Sequence, residues 1–436
     1  MAKKTKAASL TIEEKLEQAL VVPGYEPYKI PDNWCWLKLL ASFDNCTDSK
    51  KKIQQKKYLK DGAWTIIDQG KQEVGGYTND EALLYSGILP VIIFGDHTRC
   101  IKYIDFPFAQ GADGVKVLRP KSFYSPKLFY YALQSVEIPN LGYRRHFPIF
   151  DRFAIPLPPL SEQQRIVERI ESLFSKLDEA KEKAQEVIDS FEIRKAAILH
   201  KAFSGELTAK WREENGVGIE SWERKRISEC CKLGSGGTPS RKKPNYYTGD
   251  IPWIKTGEIN WNTVNYSEES ITQEAIDNSS AKVYAPGAVL VAMYGMGITR
   301  GKAAILGIEA ATNQAVCVLQ PKGYLFNRYL YFFFMCNYWD IREQAVGGNQ
   351  LNLSATIIGK LNIDIPNLEE QYVITELLDS IIEKEYQTKQ IAESVIDQID
   401  AMKKAILARA FRGELGTNDP EEESAVELLK QILSGE

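Results

Sequence analysis

Apolar residues recur in one stretch at alternating spacings of four and three, at positions 166, 170, 173, 177, 180, 184, 187 and 191. This is the spacing of the apolar seam of a coiled-coil helix. A second stretch repeats it less regularly, at positions 374, 378, 381, 392, 395, 399, 402 and 406, with polar interruptions at Glu385 and Thr388. The pattern predicts two helices of about 40 residues that pack against each other, each roughly 60 Å long.

Both stretches belong to an internal duplication. Residues 155–163 (IPLPPLSEQ) return at 363–371 (IDIPNLEEQ), and the same shift of 208 positions aligns 195–207 with 403–415 without a gap. A tryptophan opens each half, at Trp34 and Trp222, but these are only 188 positions apart. The globular parts therefore differ in length, whereas the helices do not. A period this long indicates a duplicated half rather than a solenoid.

We therefore predict a mixed α/β fold in which two globular domains are each followed by a long helix. Both domains contain short β-like runs punctuated by glycine, such as 89–94 and 288–294, and the aromatic run at 329–334 is predicted to be core. The acidic tail fits either a short helix or a disordered segment. The predicted divisions are a helical lead-in at 1–22, domains at 23–154 and 208–362, long helices at 155–207 and 363–415, and the tail at 416–436.

Composition limits the class of protein. The chain is 44% apolar and 26% charged, which is typical of a soluble globular protein. Its longest apolar run, 329–339, is too short to cross a bilayer, so we expect a cytoplasmic protein with no membrane partner. The seven cysteines are scattered and never form Cys-x-x-Cys, and there are only three histidines. This usage predicts reduced thiols and no structural zinc.

The distribution of charge points to a phosphate-bearing partner. The whole chain has a net charge of −4, but outside 161–207, 369–415 and the tail it carries 39 basic and 32 acidic residues. Mildly basic globular domains favour DNA binding that weakens as salt is added. The lysine-rich segment 50–60 fits a solvated face and a contact to the DNA backbone equally well.

We find no motif for catalysis. Residues 297–303 come nearest to a phosphate-binding loop, but their spacing is wrong and Ala303 replaces the hydroxyl residue. The Asn/Asp-Pro-Pro-Tyr/Phe element of amino-methyltransferases is missing, and the histidines lack the spacing of metal ligands. We therefore expect no catalytic residue, no metal and no cofactor. Paired carboxylates among the 58 acidic residues keep an enzyme as a competing hypothesis.

Taken together, the PPLSEQ and NLEEQ segments, the AF-x-GEL ends of both helices and the opening tryptophans resemble the specificity subunit of type I restriction–modification systems. The similarity covers nearly the whole chain. Residues 10–20 with 31–34 resemble the family's amino-terminal lead-in, and 236–240 with 249–254 resemble the opening of many of its target-recognition domains. Each motif is weak alone, whereas their order, duplicated at fixed spacing, is specific.

The resemblance implies two target-recognition domains of inverted orientation, joined by two long antiparallel coiled-coil helices. It implies that each domain reads one half of a bipartite, gapped site in double-stranded DNA. The helices then set the gap and dock two methyltransferase subunits, and an endonuclease/translocase subunit can join. A rod of this length can hold two readers one DNA turn apart, ~34–36 Å. The alternative is a coiled-coil adaptor that reads no DNA.

Candidate DNA-binding residues are polar groups in loops beside glycine, because bidentate Arg, Lys, Asn and Gln side chains read base edges best. In the first domain they are Gln69, Lys71, Asp96, His97, Thr98, Arg99, Lys116, Tyr143, Arg144, Arg145 and His146. In the second domain they are Thr238, Ser240, Lys255, Thr256, Tyr294, Thr299, Arg300, Asn313, Gln314, Asn349 and Gln350. We expect about half of them to contact DNA and the rest to be turn or capping residues. The strongest candidates are Arg144, Arg145 and Arg300.

Overall fold

A computed structural model describes residues 11–112, 114–295, 297–346 and 352–435. Its helices are α1 Ile12–Ala19, α2 Pro126–Ser135, α3 Leu160–Asp189, α4 Phe191–Phe203, α5 Ala209–Glu214, α6 Ile227–Cys230, α7 Gln273–Asp277, α8 Asn327–Cys336, α9 Tyr338–Glu343, α10 Ala355–Lys360, α11 Leu368–Ala410 and α12 Ala425–Ser434. Its strands are β1 Cys35–Lys38, β2 Phe43–Asn45, β3 Trp64–Ile67, β4 Gly76–Thr78, β5 Val91–Gly95, β6 Ile101–Ile104, β7 Phe108–Gln110, β8 Val115–Pro120, β9 Ala154–Leu157, β10 Glu223–Arg226, β11 Cys231–Ser235, β12 Ile251–Ile254, β13 Thr263–Val264, β14 Ser270–Ile271, β15 Val283–Tyr284, β16 Val289–Ala292, β17 Ala303–Leu306, β18 Ala310–Thr312, β19 Val316–Pro321 and β20 Asn362–Ile365.

The chain divides into two compact units. Unit 1 takes in the described residues of 1–184 and 394–436, and unit 2 takes in those of 185–393. Each unit therefore contains one globular domain, the beginning of the long helical segment that follows it and the far end of the other one. The boundary between the two units therefore falls near the middle of both helical segments.

Unit 1 is built on two small sheets. The first has the order β2-β8-β5-β6, and the second has the order β4-β3-β7 with β3 and β7 parallel. All five residues of β5 are buried, which explains why this strand reads as a continuous apolar run. Strand β1 pairs antiparallel with β9, so the chain enters and leaves the domain at the same place, directly before α3.

Unit 2 repeats this arrangement with one more strand in each sheet. Its sheets have the orders β11-β19-β16-β17-β13 and β14-β12-β18-β15, with β12 and β18 parallel, and β10 pairs with β20. The order of the central strands is the same as in unit 1, which confirms the duplication of the globular domains. Helix α8 buries the aromatic run 329–334 in the core, as predicted.

The long helical segments differ from their predicted form. The first is interrupted, because α3 ends at Asp189 and α4 begins at Phe191, so the prediction of one continuous helix is wrong at this point. The interruption is confined to Ser190, whose amide still donates to the Glu186 carbonyl at 3.0 Å and whose carbonyl accepts from the Arg194 amide at 3.0 Å. The second is continuous over 43 residues despite its polar interruptions. There Glu385 accepts a hydrogen bond from Arg194 at 2.8 Å, which satisfies its charge.

Within each unit the two helical segments run antiparallel. In unit 1, Lys181 pairs with Asp400 at 2.6 Å and Asp178 pairs with Lys403, so rising numbers on α3 meet falling numbers on α11. In unit 2, the Lys389 ammonium lies 5.0 Å from the centre of the Phe191 ring. The predicted antiparallel pairing of the helices is therefore confirmed.

The tail forms a helix that belongs to the core of unit 1. Helix α12 packs against α1, and its Leu429 is fully buried. The Ala425 amide donates to the Asn33 carbonyl at 2.9 Å, and the Lys15 ammonium donates to the Leu433 carbonyl at 2.8 Å. Of the two alternatives for the tail, the short helix is correct.

Candidate nucleic-acid interface

The duplicated glutamates lie at the start of each long helical segment and are completely buried. Glu162 accepts a hydrogen bond from the Trp34 indole at 2.7 Å, and Glu370 accepts one from the Trp222 indole at 2.9 Å. The tryptophan that opens each domain is thereby fixed to the helix that closes it. The tryptophans and glutamates that mark the duplication in the sequence therefore connect the beginning and the end of each globular domain.

The same carboxylates bind the segment that follows the other helical segment. In unit 1, Thr417 and Asn418 donate to the carboxylate of Glu162 at 3.1 and 2.9 Å. In unit 2, Thr208 and Arg212 donate to the carboxylate of Glu370 at 2.6 and 2.7 Å. Each unit thus ties the beginning of one long helix to the end of the other, which fixes the position of the globular domain between them.

The neighbouring glutamines make a second connection in each unit. The side chain of Gln163 accepts a hydrogen bond from the Ser125 amide at 2.7 Å and donates to the Phe123 carbonyl at 2.9 Å. In unit 2, Gln371 makes the corresponding bonds to Phe326 and Tyr324, at 2.7 and 2.9 Å. These bonds hold the turn before α2 or α8 against the long helix.

Most of the candidate residues of unit 1 lie in loops that meet at the ends of β3, β5 and β7. We call these loops, 68–72, 95–100, 111–112 with 114, and 141–146, the first loop cluster. The His97 amide donates to the Gln69 side chain at 3.2 Å, and the Thr98 hydroxyl donates to the Gln69 carbonyl at 2.5 Å. The Asp96 amide donates to the Gly114 carbonyl at 2.6 Å. The structure therefore brings together residues that are distant in sequence.

Two of the candidates organise this cluster from inside. His146 is completely buried, and its Nε2 accepts a hydrogen bond from the Leu141 amide at 3.1 Å. Its Nδ1 is then the protonated nitrogen, 2.8 Å from the Asp96 carbonyl. The Asp96 carboxylate is buried too and accepts from the Phe147 amide at 2.7 Å. Asp96 and His146 therefore hold the loop from inside, and their contact with DNA stays a prediction.

The remaining side chains of the cluster are accessible to different degrees. Tyr143 is 99% exposed, and Arg144, Arg145, Lys71 and Thr98 are exposed as well. The others are half-buried. Among these, the guanidinium of Arg99 donates to the Ile138 carbonyl at 2.9 Å, and the ammonium of Lys116 lies 5.0 Å from the Phe147 ring centre.

Unit 2 has an equivalent group of loops at the same ends of its sheets. We call 236–240, 254–256, 293–295 with 297–302, and 312–315 the second loop cluster. The Asn313 amide donates to the Ile254 carbonyl at 2.9 Å, the Gly237 amide donates to the Thr312 carbonyl at 2.9 Å, and the Met293 amide donates to the Ala315 carbonyl at 2.8 Å. Backbone hydrogen bonds thus join loops that follow four different strands.

The candidates of unit 2 are distributed over this cluster. Thr238, Ser240, Tyr294 and Gln314 are exposed, whereas Thr256, Thr299, Arg300 and Asn313 are half-buried. The Lys255 ammonium pairs with Glu268 and Glu269, each at 3.0 Å, and the hydrogen bond to Glu268 is the main reason that its pKa is raised. Two carboxylates therefore compensate the charge of Lys255, and its contact with DNA stays a prediction. Asn349 and Gln350 lie outside the described residues.

Sequence reasoning missed two groups of residues beside this cluster. Arg241, Lys242 and Lys243 directly follow Ser240, and a run of three basic residues after a glycine-rich turn was a signal that could have found them. Arg342 in α9 was also missed, although it donates to the carbonyls of Gly297 and Arg300 at 2.6 and 2.5 Å. No sequence signal distinguished α9 from the apolar run before it.

The described residues form neither a metal centre nor a membrane span. No group of three or more His, Cys, Asp or Glu side chains in this part of the chain is arranged to hold a metal ion. No helix there has the length and apolar character needed to cross a membrane.

Comparison with known proteins shows which family the sequence matches. A family described as the type I restriction modification DNA specificity domain matches residues 47–189 and 219–395, once in each half. The EcoR124I/EcoR124II specificity subunit of Escherichia coli is 25% identical over 381 residues, which cover 85% of this chain and 91% of that protein. The MjaIX specificity subunit of Methanocaldococcus jannaschii is 28% identical over 186 residues, 40% of this chain and 42% of that protein.

Two solved structures are similar to the chain in their fold. The HsdS subunit from Thermoanaerobacter tengcongensis aligns with a TM-score of 0.55 at 18% identity, covering 89% of this chain and 99% of that one. A chain from a structure of complex assembly and conformational transition in a type I R-M system aligns with a TM-score of 0.63 at 18% identity, covering 89% of this chain and all of the other. Because the family matches both halves and most of the sequence, the chain belongs to the type I restriction–modification DNA specificity family.

Proposed function

We propose that the chain is the specificity subunit of a type I restriction–modification complex and that each loop cluster reads one half of a bipartite, gapped target in double-stranded DNA. The observation that carries the proposal is the recurrence of the loop cluster at the same ends of the duplicated sheets. Both clusters present polar side chains of the kind that read base edges. Because the two clusters differ in residues, the two half-sites differ in sequence.

The first loop cluster is the better defined reader. Arg144 and Arg145 are exposed on a loop whose backbone is fixed by His146 and His97. A fixed backbone lowers the entropy lost when these long side chains dock, and an arginine can bind a guanine edge or a phosphate through two hydrogen bonds. Lys71 and Thr98 supply further donors on the same surface.

The helical segments supply the surface for other subunits. Ile193 in α4 and Ile391 in α11 are 73% and 64% exposed, although they lie on helices whose other faces are packed. Apolar side chains grouped at a surface mark protein–protein contacts, and we propose these two isoleucines as members of such a group. We assign this surface to two methyltransferase subunits, with an endonuclease/translocase subunit joining the assembly. Catalysis then belongs to these partners in the cytoplasm, and this chain contributes the choice of DNA.

Co-expression with the cognate methyltransferase subunit in a host without DNA methylation tests the proposal. Single-molecule sequencing of the host genome maps every modified base. We expect a gapped, two-part motif with methylated adenines that disappears when this chain is omitted. A soluble, assembled complex that modifies nothing contradicts the proposal and favours the coiled-coil adaptor. Modification of the same motif by the methyltransferase subunit alone contradicts it as well.

A further inference from the structure

An exposed indole lies beside the second loop cluster. Trp339 in α9 is 66% exposed, whereas the preceding Tyr338 is almost buried at 9%. The Tyr338 hydroxyl donates to the carbonyl of Ile298, whose own side chain is 62% exposed. Large apolar side chains grouped at a surface commonly mark a contact with a partner.

The charged groups beside this indole are of both signs, since the exposed Asp340 and Glu343 lie on α9 together with the cation Arg342. The Arg342 guanidinium lies 5.2 Å from the Tyr338 ring centre and 5.7 Å from that of Trp339. Desolvation lowers the pKa of the nearby Lys302, and the two charged neighbours that lower it further, Arg342 and Lys195, are both cations. An exposed aromatic ring that lies beside an arginine can meet a nucleic acid, which offers base faces beside phosphates.

Arg342 also makes this surface rigid. Its guanidinium donates to the carbonyls of Gly297 and Arg300, at 2.6 and 2.5 Å, so α9 is fixed to the turn between β16 and β17. A ring held in this way loses little conformational entropy when it docks.

Unit 1 has an exposed aromatic side chain at the corresponding place. Tyr143 follows α2 as Trp339 follows α8, and it is 99% exposed beside Arg144. Its carbonyl lies 3.1 Å from the His97 ring in the turn between β5 and β6, the counterpart of the β16–β17 turn. The two segments share no sequence pattern. The exposed aromatic side chain therefore recurs because the surfaces of both units need one at this place, and not because the sequence was retained.

We infer that Trp339 is a DNA contact that wedges its indole against the bases of the half-site read by unit 2 and partly unstacks one base step. Arg342 is a positioning residue that holds the ring and the adjacent turn. The inference rests on the proposed function and deepens it. It adds a contact whose strength depends on how easily a base step unstacks, whereas the polar contacts depend on the hydrogen-bonding groups at the base edges.

The test uses the full complex with the methyltransferase subunits and a duplex that carries the motif mapped by sequencing. 2-Aminopurine is placed at successive positions of both half-sites, since its fluorescence rises when it is unstacked. Fluorescence rises at the target adenines because the methyltransferase subunits flip these bases out. We expect the wild-type complex to raise the fluorescence at one further step, and we expect Trp339→Ala to abolish only this additional rise. The same substitution weakens binding by ~10-fold, as expected when one base is deprived of its aromatic partner. Trp339→Phe retains part of both effects.

Tyr266→Ala is the matched control. Tyr266 is a 78% exposed aromatic residue of unit 2 that follows β13, whose last residue pairs with the last residue of β17. It therefore lies at the opposite end of β17 from the turn that Arg342 holds. Melting temperatures of both variants close to that of the wild type show that the fold is intact.

The outcomes separate the inference from the proposed function. If the wild-type complex binds its motif and Trp339→Ala equals Tyr266→Ala in affinity and fluorescence, the inference is wrong and the proposed function stands. A weaker affinity that is accompanied by a smaller salt slope and an unchanged fluorescence also overturns it, because the indole then acts at the phosphate backbone rather than at a base. If the assembled wild-type complex neither binds nor modifies DNA, the proposed function fails and the inference fails with it.

Discussion

Replacing Glu370 with alanine removes an acceptor that three donors share: Arg212 at 2.7 Å, Thr208 at 2.6 Å and the Trp222 indole at 2.9 Å. The Arg212 side chain is only 10% exposed and would keep a hydrogen bond to the Gly205 carbonyl but no counter-charge. Breaking a buried ion pair by removing one partner costs about 3–5 kcal/mol. For a unit of this size, at ~2–4 °C per kcal/mol, the melting temperature of unit 2 falls by roughly 6–20 °C.

Glu162→Ala in unit 1 is the matched comparison. Its donors, Trp34, Thr417 and Asn418, are neutral, so the substitution leaves no buried cation behind. The expected cost is that of buried donors without acceptors, about 1–3 kcal/mol. A double replacement, Glu370→Leu with Arg212→Met, removes both charges and recovers much of the stability lost in Glu370→Ala.

Differential scanning calorimetry measures the unfolding of each variant, and hydrogen exchange shows which unit loses protection. We expect Glu370→Ala to destabilise unit 2 by more than Glu162→Ala destabilises unit 1, and we expect the double replacement to be more stable than Glu370→Ala. Equal losses in the two single variants, or a double variant as unstable as the single one, would refute the reasoning that Glu370 compensates a buried charge.

Three further predictions concern the first loop cluster and the tail. The double variant Arg144→Ala, Arg145→Ala keeps the melting temperature of the wild type. Its slope of log affinity against log salt concentration falls by ~0.9 for each phosphate that is no longer neutralised. An unchanged slope together with an unchanged affinity would exclude these arginines from the interface. His146→Ala loses the buried hydrogen bonds that fix the loop 141–146. We therefore expect the free energy of unfolding to fall by about 1–3 kcal/mol and methylation maps to show relaxed recognition of one half-site. Intact recognition would show that the loop needs no such support. The Arg165 guanidinium, hydrogen bonded to Glu422, holds the pKa of that carboxyl below its ordinary value. The stabilisation of α12 by this pair is therefore present at neutral pH and lost as the pH falls from ~4.3 through the lowered pKa. Hydrogen exchange measures this as protection factors, which correct each rate for its intrinsic dependence on pH, and equal protection of α12 at pH 7 and pH 3 would contradict it.

The features that sequence predicted best are those set by repetition and periodicity. The duplication, the two long helical segments and the buried aromatic run of α8 all follow from patterns over many residues. The break at Ser190 could not be predicted in this way, because it is confined to one residue and leaves the apolar spacing on both sides unchanged. Glu385 lies within α11 and pairs with Arg194, which is 191 positions away, a contact that no local pattern predicts.

The candidate site was predicted only in outline. Loop residues beside glycine do gather at one end of each pair of sheets, but sequence does not show which polar side chains point inward. Asp96 and His146 look like binding residues because they are polar and flank a strand or a turn, yet tertiary hydrogen bonds consume both. Lys255 lost its free charge to Glu268 and Glu269, which come from a loop 13 and 14 positions further along.

Base modification in living cells tests the central claim, that each unit specifies one half of the target, most directly. Methylation maps are compared for the wild-type chain and for the Arg144→Ala, Arg145→Ala variant, each expressed with the cognate methyltransferase subunit. We predict that one half of the gapped motif relaxes in the variant while the other half and the gap length are unchanged. A variant in which both halves relax together, or in which the wild-type motif is not bipartite, would contradict the assignment of one half-site to each loop cluster.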